Sequence, residues 1–138
     1  MPNEAVIGIG IFCSDPRPGA NLWKEMKKRL VHVEETIVPL GVLGGPISLA
    51  NQDDLPTEFN FLMAQIYFAL ATFPTAKRIL VVSHDCGYYN QIRSRTFTLL
   101  DKENDLIKVA NFLKERFPEL VVTTYFWTNK EAGFKKIS

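Results

Sequence analysis

The segment Arg78-Ile79-Leu80-Val81-Val82-Ser83 constrains this chain more than any other. It is apolar at successive positions instead of alternating, so the strand it forms must be covered on both faces. Ala5–Phe12 has the same character, with Gly8 and Gly10 marking where a helix or another backbone comes close. Leu120–Trp127 reads as a further strand. Strands of this kind belong to parallel sheets with helices packed on both sides.

The intervening segments supply those helices. Leu22–Glu34 is expected to be helical, N-capped by Asn21, with Leu22, Met26, Leu30 and Val33 on its apolar stripe and Lys24, Lys27 and Lys28 on the wet side. Thr36–Leu40 reads as a short strand that Pro39 places at an edge or brings to an end. A loop over Gly41–Pro46 follows. Leu55–Phe73 is apolar almost all round, which implies burial on more than one side, in the core or against a partner; Asp53 and Asp54 suit its positive N-terminal end. Glu103–Phe117 carries the stripe Leu106, Val109, Ala110, Leu113 and Phe117, and Pro118 stops it. Gly133–Ile137 adds a short edge strand. The order predicts an α/β three-layer sandwich around a mostly parallel sheet of four to five strands, as a single domain over residues 1–138.

Composition narrows the function classes. Sixteen Lys and Arg against 15 Asp and Glu leave a net charge of +1, which gives no electrostatic case for nucleic acid or an anionic membrane as partner. No apolar run approaches the roughly 20 residues that span a bilayer, and Met1-Pro2-Asn3-Glu4 lacks the basic region of a secretory leader. A cytoplasmic location is the expectation. Ten Phe, four Tyr and two Trp are either an aromatic-rich core or, in part, a subunit interface.

Ligands of open α/β sheets gather at the carboxyl ends of the strands. Two such ends carry chemistry here: Cys13 with Asp15 and Arg17 after the first strand, and His84 with Asp85 and Cys86 after the third. Two cysteines, a histidine and a nearby acid make a tetrahedral zinc environment if those strands are neighbours. Zinc fingers bring tight ligand pairs at both ends, which this chain lacks. Two buried structural cysteines are the plainer reading of the same residues.

Cys13-Ser14-Asp15-Pro16-Arg17 fits the Cys-x-Asp-x-Arg motif of the β-class carbonic anhydrases, and Val81-Val82-Ser83-His84-Asp85-Cys86-Gly87 resembles that family's strand followed by His-x-x-Cys-Gly. Gly44-Gly45 stands where the family has a Gly-Gly loop after its second strand. The resemblance covers about residues 5–127, without the family's N-terminal helical extension. It implies zinc held by Cys13, Cys86 and a histidine, an Asp15–Arg17 dyad that governs the fourth coordination position, and a substrate pocket bordered by Gly44, Gly45 and Gly87. The implied activity is a lyase reaction, reversible hydration of CO2 to bicarbonate, by a zinc-bound water whose pKa falls to about 7. It further implies a homodimer or higher even oligomer built around Phe59–Phe73.

The chain departs from the motif at the histidine. Ser83 stands three residues before Cys86, and His84 only two. In an extended segment a shift of one residue turns a side chain to the opposite face. Three states follow: His84 binds zinc through a rearranged turn, water or another acid completes the site, or no zinc binds. The functional alternatives are therefore a zinc hydratase and a non-catalytic relative, binding a small anion or a protein partner with little or no zinc. A third reading makes Cys13 or Cys86 a thiolate nucleophile, with Arg17 lowering the pKa of Cys13. His32 and the Lys27-Lys28-Arg29 run are expected to be solvated surface.

Overall fold

The computed structural model describes residues 5–14, 22–84 and 98–138. Its elements run β1 (Val6–Cys13), α1 (Leu22–Arg29), β2 (Thr36–Val42), α2 (Ile47–Ala50), α3 (Pro56–Thr72), β3 (Arg78–His84), α4 (Leu99–Arg116), β4 (Val121–Trp127) and β5 (Phe134–Lys136). One five-stranded sheet has the order β2-β1-β3-β4-β5. Its first four strands are parallel, and β5 closes the far edge antiparallel to β4. The α/β three-layer architecture expected from the sequence is the one observed.

Alternation along the central strands sorts side chains into two cores. Ile9, Ile11, Ile79, Val81, Val122 and Phe126 pack with Leu62, Ile66, Leu106 and Leu113 beneath α3 and α4. Leu80, Val82 and Trp127 point the other way and pack with Leu22, Met26 and Ile37 beneath α1. The expected stripe of α4 is buried at every position. The start of that helix differs from expectation, because Thr98 forms a capping box with Asp101 and begins the helix at Leu99.

Three other elements refine the sequence reading in extent or burial. Helix α1 stops at Arg29, so Val33 leaves the stripe and is fully exposed. Strand β2 is the edge strand that Pro39 predicts, its outer side making no ladder bond, and it runs two residues past the expected end to Val42. Helix α3 buries Leu62, Met63, Ile66 and Ala69 but leaves Phe61, Tyr67 and Phe68 exposed, so among the described residues only one of its sides is covered. No described helix is long and apolar enough to cross a membrane.

The strand glycines permit the close approaches their positions suggest. A Cβ on Gly8 would lie 2.6 Å from the Arg78 carbonyl oxygen, while one on Gly10 would lie 3.0 Å from the terminal methyl of Met26. Backbone cannot retreat as a methionine tip can. Gly8→Ala is therefore expected to destabilise by roughly 1–3 kcal/mol and Gly10→Ala by less than about 1 kcal/mol, read from urea unfolding midpoints at constant m.

Candidate functional site

The β1 strand carries Cys13 to the carboxyl edge of the sheet, on the face that Ile9 and Ile11 share. The side chain is buried, 2% exposed. Beside it, Val42-Leu43-Gly44-Gly45 makes a tight turn closed by the Gly45 N–H donating to the Val42 carbonyl at 3.0 Å. Gly44 has φ of 84° at the third turn position, the geometry for which a type II turn favours glycine. The Gly44 N–H donates to Cys13 Sγ at 3.3 Å, and Ser14 N–H donates to the Val42 carbonyl at 3.0 Å. Gly45, with φ of 54°, lies so close that a Cβ there would approach the Cys13 nitrogen to 2.9 Å. Both glycines are thus committed to the contact with Cys13.

The β3 strand ends at His84, its pairing with β4 consecutive from Arg78↔Val121 to His84↔Trp127. Parallel partners in register share a face, so His84 lies on the α1 side with Trp127, Val82 and Leu80. Ser83 lies on the opposite side with Val81 and Ile79, which is the side of Cys13. Both residues are buried, Ser83 at 2% and His84 at 3% exposure. His84 Nε2 has no hydrogen-bond partner among the described residues.

This geometry bears directly on a metal. Cys13 and His84 are separated by the sheet, so the two do not fit a common ion while β3 keeps its register. Ser83 has the required face, but an aliphatic hydroxyl is not among the usual zinc ligands. Among the described residues no three His, Cys, Asp or Glu side chains form a metal-holding group. Asp15, Arg17, Cys86 and Gly87 lie outside the described residues, as do Asn21, Asp85, Tyr88 and Tyr89. His32 is exposed, as expected.

Gly44 and Gly45 also form one wall of a pocket of about 320 Å³ on the Cys13 side of the sheet, with α2 and the first turns of α3 as its other walls. The sequence marks the glycines but not α2. A four-residue helix such as Ile47–Ala50 is too short to display a 3.6-residue period, and the available signal is only Pro46 directly after the Gly-Gly turn.

Among the described residues His84 Nε2 has no partner, and a buried nitrogen left without one costs stability. His84→Leu is expected to leave unfolding free energy unchanged or raise it by up to about 1 kcal/mol in urea titrations. A loss above about 2 kcal/mol would mean that the ring holds a partner after all.

No family model matches the sequence, and no curated protein matches it. Among solved structures the chain is similar to a carbonic anhydrase from Glaciozyma antarctica, at 16% identity and a TM-score of 0.57, covering 99% of this chain and 85% of that one. The chain has a carbonic anhydrase-like fold.

Proposed function

From this carbonic anhydrase-like fold, we propose that the chain is a non-hydrating relative that binds a small anion at the strand ends and carries little or no zinc. The observation behind this reading is the face occupied by each residue of β3: Ser83, and not His84, accompanies Cys13. A hydratase of the Cys-His-Cys kind needs the imidazole where this chain has a hydroxyl. An anion is the ligand class that an arginine pairs with, and the Cys-x-Asp-x-Arg motif supplies Arg17 four residues after Cys13 in the sequence. Two cysteines in 138 residues are too few for a disulfide scaffold, which suits a reducing, cytoplasmic compartment. A second copy of the chain is the partner that the exposed Tyr67 and Phe68 of α3 favour, since apolar surface of this kind is enriched at subunit interfaces.

Metal content and CO2 hydration test this reading together. Protein purified without chelator is expected to hold well under one zinc per chain and to hydrate CO2 no faster than Cys13→Ala. Ser83→His restores an imidazole to the Cys13 face and is expected to raise zinc uptake toward one per chain, but not in the Cys13→Ala background. Stoichiometric zinc in the wild type, with hydration lost in Cys13→Ala, would overturn it. Bicarbonate is expected to shift backbone resonances at the strand ends, and Arg17→Ala to weaken that response. A dimer mass in light scattering, reduced to monomer by Phe68→Glu, checks the partner.

A further inference from the structure

The pocket beside the Gly44–Gly45 turn has a composition that points away from an anion. Its lining includes Val42, Leu43, Ile47, Phe61 and Leu62, with polar groups supplied by Ser48, Thr57 and Glu58. Glu58 is the one ionisable side chain among the described residues lining it, and it is acidic. An anion entering here would leave water for an apolar wall and meet a carboxylate of its own sign. A neutral molecule meets neither penalty.

Size narrows the ligand further. An engineered apolar cavity of roughly 150 Å³ admits benzene. At about 320 Å³ this pocket has room for a molecule around twice that size. No side chain among the described residues fills the space. Gly45 has no room for a side chain, because its Cβ would strike the Cys13 backbone, so the turn presents bare backbone to the pocket. At the rim Leu43 is 69% exposed and Phe61 57% exposed, two apolar groups that a ligand would cover.

We infer that this pocket is a binding site for a small, uncharged, flat and mostly apolar molecule of bicyclic size that bears one hydrogen-bond donor. Its ring lies against Phe61 and Leu62, and the donor meets the Glu58 carboxylate or the Ser48 or Thr57 hydroxyl. The inference goes beyond the anion reading and does not depend on it: the anion belongs to the end of β1, and this ligand to the cleft between α2 and α3. A zinc-loaded, active wild type would overturn the first and leave the second standing.

Indole is the probe, followed by two-dimensional NMR of the full chain. Indole is expected to bind saturably, with shifts concentrated at Gly44, Ser48, Thr57 and Phe61. Thr57 is exposed in the first turn of α3, so Thr57→Trp plugs the mouth without entering the core; it should weaken indole by about tenfold or more at an unchanged melting temperature. Benzoate is expected to bind at least about tenfold more weakly than indole, and Glu58→Gln to narrow that gap. Non-saturable indole shifts, or indole binding that Thr57→Trp leaves intact, would overturn the proposal. So would a dimer that keeps indole out of the pocket, because a second copy would then be its occupant.

Discussion

The parallel pairing of β1 with β3 is the constraint on which the rest of the structure depends. These two strands lie inside the sheet, with both faces covered, so Ile9, Ile11 and Ile79 to Val82 each belong to one core or the other. Neither strand has a wet side on which an unsuited residue can be placed. The pairing Gly8↔Arg78 through Ile11↔Val81 locks their relative register, and Gly8 has no room for a side chain against the Arg78 carbonyl. Both strand ends therefore inherit their facing from the core. Cys13 continues the line of Ile9 and Ile11, and His84 continues the line of Leu80 and Val82.

That inheritance explains what was legible in the sequence. The runs of β1, β3 and β4 are readable because burial on two faces removes polar interruptions. The spacing of Leu106, Val109, Ala110, Leu113 and Phe117 is readable because one core face collects them all. Illegible features depend on single contacts instead of periods. Val33 keeps helical spacing with Met26 and Leu30, yet the chain leaves the helix after Arg29 to enter β2. The start of α4 depends on one reciprocal pair, Thr98 with Asp101, four residues upstream of the expected boundary. Helix α3 has an apolar sequence on sides that this chain alone does not cover, so its composition reports more than the fold of one copy.

The site was legible in part and for the same reason. Gly44-Gly45 stands out because positive φ at successive residues has few solutions other than glycine. Its role as the cradle of Cys13 follows only from the geometry: a sulfur accepting a backbone N–H, and a second glycine pressed on the strand backbone. The facing of Ser83 and His84 follows from parity alone, once β3 is known to stay regular to its last residue. Residue type suggests a ligand at His84, and strand geometry assigns that ligand to the other side of the sheet.

The two sides also differ in how firmly they are closed. On the His84 side, Trp127 packs against Phe134 with ring centroids 4.8 Å apart, and the Arg29 guanidinium covers its ring at 5.4 Å. Arg29 is held in turn by Glu25 at 2.7 Å and by the Lys130 carbonyl at 2.8 Å. The exposed part of that ion pair contributes little by itself. Its consequence is geometric, because it ties the segment leading to β5 onto α1 and roofs the core beside His84. On the Cys13 side, the bare glycine turn and the short α2 leave the pocket open. Bringing His84 to Cys13 would require breaking the β3–β4 ladder at its end and opening a roofed core, whereas a ligand approaching from the α3 side meets a surface already prepared. The proposed binding chemistry thus uses the face that the histidine does not share.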